Sequence, residues 1–323
     1  MPSIIKQVNR SPEGQGPSES GTSFLGGLFH KNDSEERRSK FREEDPKWEL
    51  GQIVLREEIR ETLEEVITFC KHKDDILLGE WGLNDFLKGN TSIGVNFYGE
   101  SGTGKSISAE AVAHALGLKV IRADYSAMVD SKWGDTEKNL TALFQKAEDT
   151  GSVIILNEAD GLLSKRADSG STASNMNEVK SHLLTLVDRS NVIIFYTTNL
   201  FENFDKAFFR RILYHVNFPM PNHEEMVSLL KFHIGKPRFV KDPDNFSYDT
   251  IADMCVGTLA GGDIRNLALR LCVKMVAGKI TVLTNQNVKQ EIDLYVRSLK
   301  DSRGAKPVPA SEVPQEIREK LNK

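Results

Sequence analysis

The sequence predicts an α/β fold in which a parallel β-sheet is sandwiched between helices and is followed by a small α-helical domain. Short apolar runs alternate with helical stretches as far as residue 218, and strands that alternate with helices are typical of a parallel sheet. Beyond Pro219 the pattern is helical. Apolar residues make up 39% of the 323 residues, which is enough apolar mass for about two domains.

Four regions follow from this pattern. Residues 1–46 are predicted to be disordered, because they combine Gly-, Pro- and Ser-rich stretches with a dense run of charges. Residues 47–220 are predicted to form the large α/β domain, residues 221–300 a small α-helical lid domain, and residues 301–323 a tail. Within the first region, "FLGGLF" (Phe24–Phe29) is an apolar island, either a sticky spot in a linker or a short docking motif for a partner.

The order of elements begins with a helix. In "LREEIRETLEEVITFC" the apolar residues fall at helical spacing, so that they form one stripe. Five short apolar runs then predict the strands, namely "VNFY" (95–98), "KVIRA" (119–123), "VIIL" (153–156), "VIIFY" (192–196) and "LYHVNF" (213–218).

Composition argues against several classes of protein. The net charge of −4 disfavours a non-specific nucleic-acid binder. Three cysteines, none in a C-x-x-C pair, indicate a reducing compartment without a disulfide framework. No run approaches the ~18 apolar residues of a membrane span, and the first residues lack the apolar core of a signal peptide. A cytoplasmic protein is therefore expected.

The stretch "VNFYGESGTGKSISAEAVAHALG" carries the P-loop spacing Gly99-x-x-x-x-Gly104-Lys105-Ser106. Glycines let consecutive backbone N–H groups turn inward around phosphates, and the following helix presents its positive end. Lys105 is expected to reach the β- and γ-phosphates of ATP, and the Ser106 hydroxyl to ligate Mg²⁺. The apolar strand before the motif and the Ala-rich helix after it favour this interpretation over a simple glycine turn. The residues predicted to bind the nucleotide here are Gly99, Glu100, Ser101, Gly102, Thr103, Gly104, Lys105, Ser106 and Ile107.

A second motif, "VIILNEAD", ends a buried strand with an amide and a carboxylate, Asn157 and Glu158. Glu158 is predicted to act as the general base that polarises the attacking water. Nucleotide hydrolases usually place an acid at the position of Asn157, where it bonds the waters around Mg²⁺. An amide oxygen can accept those hydrogen bonds but carries no negative charge. We therefore expect weaker metal binding with catalysis retained, that is, a working ATPase.

Together these motifs resemble an AAA+ ATPase module over roughly residues 50–300. The closest resemblance is to bacterial single-module ATPases of the classical AAA group, several of which also carry an N-E-A-D motif. It implies that Asn199, at the end of "YTTN", positions the water. It also implies that Arg210 and Arg211, in "FDKAFFRR", are arginine fingers that reach the γ-phosphate held by a neighbouring subunit. A basic helix end is the alternative for these two arginines.

The resemblance further implies how the adenine is held. In "LAGGDIRNLAL", Gly261 and Gly262 match glycines that approach the base. Arg265 matches either a sensor of the nucleotide or, as we expect, a plain surface residue, because the family pattern lacks this arginine. "GQIVL" (Gly51–Leu55) lies where family members wrap the adenine, although almost any apolar stretch would suit that role.

A substrate-gripping pore loop is implied at "DSKWGDTEKNL". The family pattern is aromatic–hydrophobic–glycine, whereas here Lys132 takes the aromatic position and Trp133 the hydrophobic one before Gly134. The grip is therefore shifted relative to the family. The alternative is that Trp133 packs within its own subunit.

The sequence thus predicts an ATP-hydrolysing protein that remodels a protein client as a ring, a hexamer, with ATP and Mg²⁺ as cofactors. The disordered N-terminus would recruit the client, since no folded recognition domain is evident. Two alternatives stay open: a nucleic-acid motor or loader built on the same module, and a slow nucleotide-gated scaffold because of Asn157. The acidic balance and the lack of a DNA-binding motif argue against the first alternative.

Overall fold

A computed structural model of the chain describes residues 35–79, 92–124, 135–165, 171–199, 204–236, 239–240 and 246–304. The motif Phe24–Phe29 and most of the predicted tail lie outside these residues.

The centre of the fold is one six-stranded sheet with the order β1-β3-β4-β5-β2-β6. Strands β2 to β6 pair in parallel, and only β1 at the edge is antiparallel. The predicted α/β fold is therefore confirmed, including all five predicted strands. The strands are β1 (Glu43–Glu44), β2 (Ile93–Gly99), β3 (Val120–Asp124), β4 (Val153–Asn157), β5 (Ile193–Thr198) and β6 (Ile212–Phe218).

Helices cover both faces of the sheet and then form the lid. The helices that flank the sheet are α1 (Glu57–Lys71), α2 (Lys73–Leu78), α3 (Lys105–Leu116), α4 (Asp135–Thr150), α5 (Asp160–Leu163), α6 (Ser171–Arg189) and α7 (Lys206–Phe209). The helices of the lid are α8 (His223–Ile234), α9 (Tyr248–Cys255), α10 (Gly261–Val276) and α11 (Asn285–Gly304).

Side-chain alternation along the strands creates a separate core on each face of the sheet. Ile154 packs with residues of α4 and α6 on one face. Ile155, the next residue, packs with residues of α1 and α3 on the other. The lid has a third core of its own, built around residues such as Leu230, Ile264 and Leu271. The lid is thus a compact helical unit with its own apolar interior.

The predicted disorder of residues 1–46 is wrong for residues 35–46. Residues 35–39 are helical, and β1 pairs with β3. Arg37 donates to the Asp135 carboxylate over 2.8 Å, and Lys146 lies 2.8 Å from the Glu43 carboxylate. The charge run that indicated disorder is neutralised by these ion pairs with α4, which sequence composition alone does not reveal. The structure also continues α11 to Gly304, beyond the predicted start of the tail at residue 301.

Two features of this architecture position the site. The carboxyl ends of parallel strands meet at one edge of the sheet, where ligands bind in such folds. The lid approaches that edge through the backbone, since the Gly262 N–H donates to the Gly102 carbonyl over 2.9 Å. Arg56 and Glu225, whose charged groups lie 3.2 Å apart, add a second tie between the α/β unit and the lid. None of the described helices is long and apolar enough to cross a membrane.

Candidate functional site

A cavity of about 540 Å³ lies between the carboxyl edge of the sheet and the lid. Its wall brings together the glycine-rich loop, the ends of β3, β4 and β5 and the start of α10. The lining residues from these segments are Ser101, Gly102, Thr103, Gly104, Lys105, Ser106, Ile107, Asp124, Asn157, Glu158, Thr197, Asn199, Gly261, Gly262 and Arg265.

Backbone geometry explains the glycines of the loop. Gly99 has φ 137°, and a Cβ added there would lie 2.1 Å from the Phe218 carbonyl oxygen. Gly104, with φ 106°, turns the chain into α3 at its N-cap, a conformation that favours glycine. The loop is therefore shaped so that the positive end of α3 faces the cavity.

The Lys105 ammonium is held by three acceptors inside the chain. It donates to the Gly99 and Glu100 carbonyls over 2.7 and 2.8 Å, and to Asn199 Oδ1 over 3.0 Å. Burial lowers the pKa of Lys105 to about 8, while the charges of Asp160 and Glu100 act in the opposite direction. Gly99 and Glu100, although predicted to bind the nucleotide, do not line the cavity among the described residues, and they contribute acceptors for Lys105 instead.

Asn157 organises hydroxyl groups rather than standing free in the cavity. Its Oδ1 accepts hydrogen bonds from Ser106 Oγ over 2.9 Å and from Thr197 Oγ1 over 3.2 Å. An amide oxygen has two lone pairs, so these two donors use its acceptor capacity. The Ser106 hydroxyl hydrogen is directed at Asn157, which leaves the oxygen lone pairs of Ser106 for a cation.

Glu158 follows Asn157 with an exposed side chain and φ 51°. A left-handed backbone in a residue other than glycine costs of order 1–3 kcal/mol, and such strain clusters at functional sites. The turn is fixed on both sides, since the Ala159 N–H donates to the Thr197 carbonyl over 3.0 Å and the Asn199 N–H to Asp160 Oδ1 over 2.9 Å. The general base and the water-positioning residue predicted from sequence thus lie at the ends of two neighbouring strands, which these hydrogen bonds tie together.

Much of the remaining cavity wall is apolar and aromatic. Of the predicted segment Gly51–Leu55, all residues except Gly51 line the cavity. Sequence reasoning missed further lining residues, among them Trp48, Ile59, Phe218, Leu229, Phe232 and His233. Of these residues only Trp48, an aromatic residue shortly before "GQIVL", has a signal in the sequence. Leu229, Phe232 and His233 have none, because they lie on α8 in a distant part of the chain. A flat apolar group such as a purine fits these surroundings.

Gly261 and Gly262 lie against the glycine-rich loop. A Cβ on Gly262 would lie 3.4 Å from Gly102 Cα, and one on Gly261 would lie 3.4 Å from the Gly102 carbonyl oxygen. Arg265, which we expected to be a plain surface residue, is exposed but also lines the cavity. Burial lowers the pKa of the His233 imidazole, and the charge of Arg265 lowers it further.

The two predicted arginine fingers have different surroundings. The Arg211 guanidinium binds Asp188 through two hydrogen bonds of 2.6 and 2.8 Å, and it also donates to the Ala207 carbonyl. Arg210 is exposed, and its guanidinium has no hydrogen-bond or ion-pair partner among the described residues. Neither arginine lines the cavity of its own chain. The predicted pore residues Lys132, Trp133 and Gly134 lie outside the described residues.

Comparison with known proteins agrees with this geometry. Residues 95–220 match the family described as "ATPase family associated with various cellular activities (AAA)". The chain is 28% identical over 244 residues to the "Cell division protein C" of Sulfolobus acidocaldarius, an alignment that covers 72% of this chain and 61% of the relative.

Two further relatives are named as proteasome subunits. The "26S proteasome regulatory subunit 8 homolog" of Encephalitozoon cuniculi is 32% identical over 182 residues, 53% of this chain and 45% of the relative. The "26S proteasome regulatory subunit 4 homolog B" of Arabidopsis thaliana is 28% identical over 218 residues, 61% of this chain and 49% of the relative. The chain thus spans between 45% and 61% of the length of these three relatives. Residues 95–220 are thus similar to the AAA family, and the observed mostly parallel sheet is consistent with its P-loop nucleotide fold.

Proposed function

We propose that this chain is an ATP-hydrolysing subunit of a ring, a hexamer, that remodels a protein client in the cytoplasm. One observation carries the proposal. A single cavity unites Lys105, Ser106, Glu158 and Asn199 from separate segments, whereas the exposed Arg210 lies outside it. The AAA family match and the relatives named as proteasome regulatory subunits support the same function.

Three residues of the cavity have definable chemical tasks. Lys105 binds the β- and γ-phosphates with its charge, together with the backbone N–H groups of the loop. Glu158 accepts the proton of the attacking water. Asn199, which accepts a hydrogen bond from Lys105 over 3.0 Å, positions that water.

The oxygen donors at the phosphate end fit Mg²⁺. The Ser106 hydroxyl is oriented by Asn157 so that its lone pairs are available, and Mg²⁺ prefers hard oxygen ligands. The described residues contain no cluster of three or more His, Cys, Asp or Glu that could hold a metal. Mg²⁺ at nucleotide sites needs no such cage, since it keeps waters and uses substrate phosphates as ligands. When bound, Mg²⁺ neutralises charge that develops on the phosphates.

The position of Arg210 supports the assembly of several copies of the chain. A transferred phosphoryl group needs positive charge around it, and a guanidinium supplied by a second subunit is a common source. Arg210 is exposed and unpaired among the described residues, so it is available to the cavity of a neighbouring copy. We propose Arg210 for this role and assign Arg211, which binds Asp188, to holding the turn after α7.

The client is proposed to be a protein that passes the predicted pore residues Lys132, Trp133 and Gly134. Residues before the described part of the chain, including Phe24–Phe29, would recruit it. The nucleotide-gated scaffold is a second candidate, and Asn157 is the observation that favours it, since this amide replaces a negative charge at the metal site.

Trapping the client with Glu158→Gln tests the proposal. The glutamine keeps the shape of the side chain but cannot accept the proton, so the ring should bind ATP, fail to hydrolyse it and hold its client. Glu61→Gln, which changes an exposed carboxylate on α1, is the matched control and should turn over ATP normally. A specific protein enriched by the trap and absent from the control is the expected result. Wild-type protein that binds ATP as a ring but does not hydrolyse it at any Mg²⁺ concentration would instead support the scaffold.

A further inference from the structure

Asp124 lies beside Asn157 at the carboxyl edge of the sheet. The two residues are partners in the parallel register of β3 and β4, and neighbouring strands are about 4.8 Å apart. Residues in register across two parallel strands point to the same face of the sheet. Both residues also line the cavity, as does Ser106. A carboxylate and the amide at the metal site are thus adjacent, although 33 positions separate 124 and 157 in the sequence.

An ion pair farther from the cavity joins β3 to α3 and fixes how the two elements are aligned. Arg122 and Glu110, whose charged groups lie 2.7 Å apart, join the strand to the helix. Asp124 lies two residues farther along the strand, about 6.6 Å towards the cavity. Ser106 lies four residues back along the helix, about 6 Å in the same direction. Asp124 and Ser106 therefore lie at a similar distance from this ion pair, both on its cavity side.

Asn157 cannot accept further hydrogen bonds next to Ser106. Its Oδ1 accepts from Ser106 and Thr197, so it has no lone pair left for the waters around a cation. Among the described residues, no hydrogen bond or ion pair occupies the Asp124 carboxylate, and its side chain is exposed to the cavity. A free carboxylate is a strong acceptor for such waters and carries the negative charge that an amide lacks.

We infer that Asp124 is a positioning residue for the metal of this site, and that it supplies from β3 the negative charge that Asn157 does not supply from β4. The inference rests on the proposed function, because it assigns a role within the same nucleotide site. It divides the usual task of one acid between two residues. Asn157 orients the Ser106 hydroxyl, and Asp124 accepts hydrogen bonds from the waters of the cation.

Direct measurement of metal affinity tests this role apart from catalysis. Mn²⁺ prefers the same oxygen ligands as Mg²⁺, and its binding is read by electron paramagnetic resonance in the presence of a non-hydrolysable ATP analogue. Asp124→Asn should weaken Mn²⁺ affinity about tenfold or more, as the loss of an outer partner of a metal site does. The affinity for the analogue without metal, measured in EDTA, should stay the same. Asp249→Asn, an exposed carboxylate on α9 away from the cavity, is the matched control and should change neither affinity.

A charge swap distinguishes the inference from a structural effect of the substitution. The double variant Asp124→Asn with Asn157→Asp restores the count of carboxylates, so it should recover Mn²⁺ affinity to within about threefold of the wild type, well inside the expected loss. An unchanged Mn²⁺ affinity in folded Asp124→Asn would overturn the role of Asp124. A double variant no better than Asp124→Asn would overturn it as well. Wild-type protein that binds the analogue neither with nor without metal would refute the nucleotide site itself, which is a separate outcome.

Discussion

Lys105, in the wall of the cavity, and Arg210, on the surface, differ in how their positive charges are held. Lys105 is buried in the wall of the cavity and donates to three acceptors of its own chain. Arg210 is exposed and has no side-chain partner among the described residues, although its neighbour Arg211 is bound to Asp188. The first cation is fixed by acceptors of its own chain, whereas the second has no such partner among the residues that the structure describes.

This difference indicates which steps a single chain can perform and which steps need a second subunit. A preorganised cation binds phosphate without first losing conformational freedom. An exposed arginine gains a fixed position only when another surface meets it. We therefore expect nucleotide binding to depend on the single chain and turnover to depend on the assembly.

Removal of Arg210 should have the largest effect on turnover. Arg210→Ala should lower the ATPase rate about 10³-fold or more, as loss of an arginine finger does, while nucleotide affinity stays nearly the same. Mixing this variant with Glu158→Gln subunits should restore some activity, because each variant spoils a different half of a shared site.

Arg211→Ala is the control. It should lower the free energy of unfolding by about 1 kcal/mol, as loss of a partly exposed ion pair does, and should affect turnover far less. Wild-type turnover that does not depend on protein concentration would contradict the shared site.

Removal of Lys105 should act on binding instead. Lys105→Ala should weaken ATP affinity on the order of 10²- to 10³-fold, through loss of charge-assisted hydrogen bonds to the phosphates. The measurement is a direct titration with nucleotide. An affinity equal to that of the wild type would refute the assignment of the phosphate site.

Nucleotide affinity should also fall at high pH. Burial within the chain lowers the pKa of Lys105 to about 8, and only the charged ammonium binds phosphate well. Below about pH 7 the group is already protonated, so affinity should be flat. Above pH 8 binding must take up a proton, so affinity should fall by up to about tenfold per pH unit. Lys105→Arg keeps its charge and should remove this fall. A constant affinity of the wild type up to pH 9.5 would contradict the prediction.

Trp133 should have the smallest effect on the nucleotide chemistry. If its indole faces the pore, Trp133→Ala should leave assembly, thermal stability and basal ATP hydrolysis unchanged but remove client processing. If the indole packs in a core, the same truncation should cost about 3–5 kcal/mol and lower the melting temperature. A thermal melt and an ATPase assay on one variant therefore separate the two interpretations.

Much of the fold and of the phosphate site is predictable from the sequence, because the signals are local. Apolar runs between helical stretches predicted β2 to β6, since each run carries its own pattern of burial. The spacing of Gly99, Gly104, Lys105 and Ser106 is a property of one loop, and the structure places the last three of these on the cavity. Strand β1 was missed, because two glutamates carry no strand signal and pair only where β3 offers an open edge.

The remaining features depend on contacts between distant segments. The sequence by itself determined the parallel sheet, the phosphate loop and the replacement of an acid by Asn157, since each is written in a short stretch. Only the tertiary structure decided that Asp124 stands beside Asn157, because strand register joins residues far apart in the chain. It also decided that Arg211 is bound, whereas Arg210 has no side-chain partner in the described part of the chain, because Asp188 on α6 reaches only one of two adjacent arginines. Local patterns specify elements and loops, whereas the partners of a charged side chain depend on which elements the fold brings together.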